Sequence, residues 1–150
     1  EDAKRITRFS QAIHDKKKKD KYEVLDCFEK FLYDPDYLIV GHNILGFDIY
    51  IHNMLRLACG KQSDYSYMDR TLDTNCLAKA YRMNLKKPDG NLTFWQCKLN
   101  NYIKRGMKTN QKVLLKEFDI EFEEDKLHDA IYDVKMNLEI FHKLIWKVEV

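Results

Sequence analysis

Tyr37-Leu38-Ile39-Val40-Gly41-His42-Asn43-Ile44-Leu45-Gly46-Phe47-Asp48 is the stretch of this 150-residue sequence that decides the fold. Its first four residues are apolar and end at a glycine, which is typical of a short strand buried in a parallel sheet. A polar turn then leads into a helix that stops near Gly60, as apolar residues with helical spacing predict: Phe47, Ile51, Met54, Leu55 and Ala58.

The same alternation continues on both sides of this stretch. Helical spacing predicts further helices over residues 22–33, 74–81, 95–106 and 113–118, and a second strand is predicted over residues 68–72. A last helix of about five turns is predicted from one apolar stripe: Ala130, Val134, Leu138, Phe141 and Ile145. Helices interleaved with apolar strands predict a single α/β domain over residues 1–150.

Composition excludes several protein classes. With 45% hydrophobic and 33% charged residues, the chain is neither disordered nor fibrous. No apolar run approaches the roughly 18 residues of a membrane span, and the charged residues 1–20 lead us to expect no signal peptide. The four cysteines lie far apart without a paired motif, which indicates reduced thiols rather than zinc ligands or disulfides. We therefore expect a cytoplasmic protein, in the host cytoplasm if its source is a phage or virus.

Charge is unevenly distributed along the chain. Residues 86–116 carry eight basic and one acidic side chains, whereas residues 117–150 carry four basic and ten acidic ones. An enzyme that acts on nucleic acids needs such a pair of segments, because acidic side chains bind metal ions and basic side chains bind phosphates. The alternative is that these charges only solvate helix faces.

The turn after the first strand is the first candidate site. Ligands of α/β proteins gather at the carboxyl ends of the strands, and a helix N-terminus favours a carboxylate such as Asp48. The alternative is structural, with Asp48 as a helix cap and Asn43 bonded to the backbone of the turn.

Leu127-His128-Asp129-Ala130-Ile131-Tyr132-Asp133 is the second candidate site. It brings a histidine and a carboxylate to the start of the last helix, a combination that suits metal-assisted hydrolysis. Taken alone, His128 could equally be an ordinary residue at the amino-terminal end of that helix.

Together, His-Asn-x3-Phe-Asp after a strand and His-x-Ala-x-x-Asp at a C-terminal helix resemble the DEDDh branch of the DnaQ-like 3′-to-5′ exonucleases. The stretch from Thr71 to Ala78 also resembles the strand and middle helix of that family. The resemblance extends over residues 38–145. It implies a ribonuclease-H-like layered α/β domain, with a mixed sheet flanked by helices.

The resemblance also implies roles for individual residues. Asp48 and Asp133 would bind metal, as part of a site for two Mg²⁺ or Mn²⁺ ions, and His128 would be the general base. Asn43 and Phe47 would position the terminal nucleotide. The substrate would be the 3′ end of a single strand of DNA or RNA, with a DNA polymerase as a candidate partner in proofreading; repair is another candidate role.

The family's first motif, Asp-x-Glu on the opening strand, has no counterpart before Asp48. The only Asp-x-Glu is Asp119-Ile120-Glu121, which we interpret as the surface approach to the last helix. Three interpretations stay open: an exonuclease whose first motif and first strands lie outside this chain, a degenerate member that binds nucleic acid or a polymerase without cutting, and an unrelated α/β domain.

The basic stretch offers candidate phosphate contacts at Lys104, Arg105 and Lys108. Trp95 and Tyr102 lie among these cations, and aromatic rings beside cations suit single-stranded nucleic acid. Trp95 shares a helical stripe with Leu99 and Ile103, however, so a place in the core is the alternative.

Overall fold

The computed structural model describes residues 9–150, so the first residues of the domain predicted over 1–150 lie outside it. The strands within these residues are β1 (Ile39–Gly41) and β2 (Thr71–Asp73). The helices are α1 (Gln11–Lys17), α2 (Lys21–Leu32), α3 (Asp48–Ala58), α4 (Thr74–Arg82), α5 (Leu92–Asn101), α6 (Gln111–Glu117) and α7 (Ala130–Val148). The predicted α/β class is confirmed, whereas the detailed layering of a ribonuclease-H-like fold stays a prediction.

The two strands form a parallel pair, in which Ile39 is opposite Thr71 and Gly41 is opposite Asp73. β2 is buried along its length, but β1 is only half-buried, and Leu38 before it is 56% exposed. The prediction of a buried first strand is therefore wrong. The reason is that β1 pairs only with β2 among the described residues, so its other edge has no strand partner within residues 9–150.

The main core forms around α4, which packs against α5 and α7. Five α4 side chains are completely buried: Thr74, Cys76, Leu77, Ala78 and Ala80. Burial raises the pKa of the Cys76 thiol, so this cysteine acts as a small hydrophobic residue. Leu114 and Leu115 of α6 complete this core from another side.

α7 runs antiparallel to the strands. Near its end, Ile145 lines an apolar cavity of about 360 Å³ together with Leu38 and Thr71, which lie at the beginning of the strands. Near its beginning, Asn137 is hydrogen bonded to Thr74, which follows the last residue of β2. The first turn of α7 therefore lies at the carboxyl edge of the sheet.

The apolar stripes that predicted α3 and α7 do not mark their buried faces. In α7, Val134 is 69% exposed and Leu138 is 45% exposed. Asn137, Ile140, Leu144 and Val148 are buried instead. In α3, Ile51 and Met54 are exposed, and the buried residues are Ile49 and His52. Both helices carry apolar residues around much of their circumference, so spacing alone could not select the face.

α5 ends at Asn101, earlier than the predicted end near Gly106. The Lys79 ammonium of α4 donates to the carbonyls of Leu99 and Asn100, both at 2.9 Å, and so satisfies acceptors at this helix end. Ile103 lies beyond the helix and is 92% exposed. Trp95 is partly buried against the main core, in agreement with the alternative of a packing role.

No helix among residues 9–150 is long and apolar enough to cross a membrane. The cytoplasmic location stays a prediction.

Candidate active site at the carboxyl edge of the sheet

The turn between β1 and α3 is held by one buried carboxylate. Asp73, at the end of β2, is completely buried and accepts hydrogen bonds from the backbone N–H groups of Asn43 at 2.8 Å and Leu45 at 3.0 Å. It also accepts from the N–H of Asn75 at 2.9 Å, and so caps α4. Its bonds across to the turn were not predicted, because a cap motif shows only local partners.

Asn43 adopts a left-handed backbone conformation with φ of 62°. Asn75 donates from Nδ2 to Oδ1 of Asn43 at 3.3 Å. Gly46 leaves room for this side chain, because a Cβ atom on Gly46 would lie only 2.5 Å from Oδ1 of Asn43. The Nδ2 group of Asn43 has no protein partner within residues 9–150 and is available as a donor.

Asp48 is the first residue of α3, and the residue as a whole is exposed. Partial burial of its carboxylate raises its pKa, the backbone N–H of Asp48 lowers it, and the negative charge of Asp73 raises it further. Phe47 beside it is 59% exposed, so its ring is accessible to a ligand.

Asp48→Asn is expected to raise the Tm at pH 7. Since the pKa of the folded carboxyl lies above its value in the unfolded chain, ionisation favours unfolding, and the penalty is complete above the folded pKa. It vanishes below the unfolded pKa of about 4, where both states bind the proton. Thermal melts at pH 7 and near pH 3 check this, with Asp36→Asn on an exposed turn as the control for a lost charge. A variant that melts below the wild type at pH 7 would contradict it.

The second segment is held by Asp133, in the first turn of α7. His128 lies before the helix in a left-handed conformation with φ of 74°, and its backbone N–H donates to Oδ1 of Asp133 at 3.2 Å. Asp129 caps the helix by accepting from the N–H groups of Ile131 and Tyr132. The left-handed conformation of His128 carries an energetic cost for a residue other than glycine. Strained backbone of this kind is common at functional sites.

A buried polar junction joins the two segments. The Thr74 hydroxyl lies 2.6 Å from Oδ1 of Asn137, 3.2 Å from the carbonyl oxygen of Gly41 and 2.9 Å from Nδ1 of His42. Asp133 precedes Asn137 by one helical turn, about 6 Å along the axis. Both carboxylate-bearing segments therefore begin at the carboxyl edge of the sheet.

Neither sequence motif predicts this junction. Two features of the sequence could have indicated the junction. Thr74 directly follows the second strand, and Asn137 is a polar residue on the buried face of α7. His42 belongs to the same group. Burial lowers the pKa of His42 and so favours the neutral imidazole, whereas the negative charge of Asp73 opposes this effect.

The basic residues that were predicted to contact phosphate lie on an exposed segment between α5 and α6. Lys104, Arg105 and Lys108 are all exposed, and none of them has an ion-pair partner within the described part of the chain. Unpaired cations of this kind attract the phosphates of a nucleic acid.

The residues present do not form a metal centre by themselves. Residues 9–150 contain no group of three or more His, Cys, Asp or Glu side chains arranged to bind a metal ion. Asp48 and Asp133 offer the hard oxygen atoms that Mg²⁺ and Mn²⁺ prefer, but two carboxylates are too few for a pair of such ions. Asp119 and Glu121 are exposed residues after α6, in agreement with their interpretation as a surface segment.

Comparison with known protein families gives one match. A family model described as an exonuclease, RNase T, matches residues 1–141. No curated protein and no solved structure matches the chain.

Proposed function

The chain belongs to the RNase T exonuclease family, of the DEDDh-type superfamily, and on this premise we propose that it removes nucleotides from the 3′ end of single-stranded nucleic acid. DNA, in a proofreading or repair role, is the first substrate to test. Membership of this family supports nuclease activity and a nucleic-acid substrate. The 3′-to-5′ polarity, the preference for a single strand and the residue roles are proposed here.

The observation that carries this proposal is the meeting of the two carboxylate-bearing segments at one edge of the sheet. Asp48 and Asp133 are 85 positions apart in the sequence. The hydrogen bonds of Thr74 to Gly41 and Asn137 nevertheless bring their segments to the same edge. Such an arrangement supports a shared reaction centre in which phosphodiester hydrolysis takes place.

His128 is the proposed general base. It takes a proton from the water that attacks the scissile phosphate, and such proton transfer typically contributes about 10²–10⁴-fold to a rate. The bond between its backbone N–H and Asp133 fixes the position from which the imidazole reaches the site. Asp133 thus has two proposed roles, as a metal ligand and as the group that positions His128.

Asp48 and Asp133 contribute to a proposed site for two Mg²⁺ or Mn²⁺ ions. The further oxygen ligands are not found among the described residues, so a complete centre requires carboxylates from elsewhere, such as an Asp-x-Glu strand. The edge of β1 that has no strand partner within residues 9–150 is a place where a further strand could pair with this sheet.

Substrate binding is assigned to the groups beside the reaction centre. Asn43 donates from its free Nδ2 to the terminal nucleotide, and the exposed ring of Phe47 stacks on its base. Lys104, Arg105 and Lys108 bind the phosphates that follow.

A 5′-labelled single strand, incubated with Mg²⁺ and the natural polypeptide that contains these residues, tests the proposal. We expect a ladder of products shortened from the 3′ end, and at least a hundredfold slower reaction for Asp133→Asn. Asp125→Asn, a change in the exposed turn before Leu127, is the control for charge and is expected to react at the wild-type rate. Products shortened from the 5′ end, or unchanged cleavage by Asp133→Asn, would refute the proposal.

A second candidate function is a catalytically degenerate domain that binds nucleic acid or a polymerase. The incomplete set of metal ligands within residues 9–150 is the observation that favours it. It predicts salt-sensitive binding of single strands without products, weakened when Lys104, Arg105 and Lys108 are neutralised. Absence of cleavage by the natural polypeptide, together with such binding, would support this candidate.

A further inference from the structure

The geometry points to Asn75 and Thr109 as positioning residues that connect the basic loop, residues 102–108, to the turn bearing Asn43. This inference rests on the proposed binding of a 3′ end at Asn43 and adds residues that neither sequence motif contains. The basis is a chain of side-chain hydrogen bonds that leads from the loop to the turn across the start of α4.

The first link is between Thr109 and Asn75. The Thr109 hydroxyl donates to Oδ1 of Asn75 at 2.6 Å, and both residues are partly buried. Asn75 is itself held in place, because its backbone N–H donates to the buried carboxylate of Asp73. Thr109 is therefore attached to the part of the molecule that also holds the turn after β1.

The second link is between Asn75 and Asn43. With Oδ1 of Asn75 engaged by Thr109, its Nδ2 group faces Oδ1 of Asn43 at 3.3 Å. This contact orients the Asn43 amide so that its Nδ2 group is the free end, which presents a donor to the oxygen atoms of a nucleotide. Loss of the Thr109 hydroxyl would let the Asn75 amide turn and would remove the constraint on Asn43.

Two further hydrogen bonds hold the segment that follows the basic loop. Gln111 donates to the carbonyl oxygen of Asp133 at 2.7 Å, and Arg82 donates to the carbonyl oxygen of Lys108 at 3.2 Å. Residues 108–111 thus contact Asp133 directly through Gln111 and are linked to the turn bearing Asn43 only through Asn75.

This attachment gives the basic loop a defined place beside the site. Lys108 lies next to the anchored Thr109, whereas Lys104 and Arg105 lie farther out on the exposed part of the loop. A strand whose terminal nucleotide is at Asn43 would meet Lys108 first and the other two cations at later phosphates. The predicted ligand is a single strand with a free 3′ hydroxyl, recognised by one amide donor and by cations at a fixed distance from it.

Thr109→Val tests this chain of hydrogen bonds from Thr109 through Asn75 to Asn43, which we call the relay. Valine keeps the shape of threonine and removes the hydroxyl. Fluorescence anisotropy without divalent ions measures the Kd of two labelled single strands of one sequence, one ending in a 3′ hydroxyl and one in a 3′ phosphate. We expect the wild type to prefer the 3′ hydroxyl, and Thr109→Val to lose about three- to tenfold of that preference, as one hydrogen bond contributes. Thr109→Ser, which keeps the hydroxyl, should restore most of it.

Thr93→Val is the matched control. Thr93 is also partly buried, and its hydroxyl donates to Oδ1 of Asp69 at 2.9 Å, away from the basic loop. We expect a similar small change in Tm for both valine variants, but an unchanged 3′-hydroxyl preference for Thr93→Val alone. Equal losses of preference in the two variants would overturn the inference.

A double-mutant cycle with Asn75→Ala separates a relay from two independent contacts. If Thr109 acts through Asn75, adding Thr109→Val to Asn75→Ala causes no further loss of preference, whereas additive losses would overturn the inference. A wild type that shows no preference for the 3′ hydroxyl would contradict the proposed function itself. A preference that Asn43→Ala abolishes and Thr109→Val leaves intact would retain that function and reject the relay.

Discussion

His128→Ala is expected to slow phosphodiester hydrolysis by about 10²–10⁴-fold while the protein remains folded. The imidazole is the proposed acceptor of the proton from the attacking water, and alanine leaves that proton to bulk solvent. His128 is exposed, and its side chain makes no hydrogen bond with residues 9–150, so its removal disturbs little packing. Single-turnover rates on a 5′-labelled strand measure the effect.

His142→Ala controls for the loss of an exposed histidine. His142 lies on α7, well beyond its first turn and therefore away from the proposed reaction centre. It should cleave at the wild-type rate. Cleavage by His128→Ala at more than half the wild-type rate would remove His128 from the mechanism.

His128→Gly separates the chemical from the conformational contribution of this residue. It should be as inactive as His128→Ala but more stable, by about 1 kcal/mol, because a left-handed conformation is unfavourable for residues with a Cβ atom and accessible to glycine. Urea denaturation of the two variants measures this difference.

Asp73→Ala is expected to lower the free energy of unfolding by about 3–5 kcal/mol. The completely buried Asp73 carboxylate accepts from the N–H groups of Asn43, Leu45 and Asn75, and alanine leaves these donors without their partner. Because two of these donors belong to the turn after β1, the loss should also displace Asn43 and weaken substrate binding. Urea denaturation measures the stability.

Asp20→Ala is the matched control for Asp73→Ala. Asp20 also accepts hydrogen bonds from backbone N–H groups, those of Tyr22 and Glu23, but it caps α2 at an exposed position. Its removal should cost about 1 kcal/mol, as for other helix caps. If the two substitutions cost the same, the structural role assigned to Asp73 in the turn is wrong.

Local patterns in the sequence were sufficient for the elements next to the site. The apolar run before Gly41 predicted β1, and helical spacing predicted α4 from residue 74, because strand endings and apolar periodicity depend on neighbouring residues. The end of α5 was predicted too late, since its carbonyls are satisfied by Lys79, which lies about twenty positions earlier in the chain.

The candidate site could be predicted only in part for the same reason. Asp48 and the segment from His128 to Asp133 were found from their motifs, whereas Thr74 and Asn137 were not. Thr74 meets Asn137 across 63 positions. No local pattern shows that a hydroxyl and an amide so far apart share a hydrogen bond.

The sequence by itself determined the order of helices and strands from α2 onward, the family and the residue types available for chemistry, because periodicity, turn residues and motifs are local properties of the chain. Helix α1 (Gln11–Lys17) was not predicted. Only the tertiary structure decided which faces of α3 and α7 are buried and that Asp73 and Thr74 join the two halves of the site. The physical reason is that an apolar side chain is favourable in any core, whereas a buried polar group is stable only opposite one particular partner.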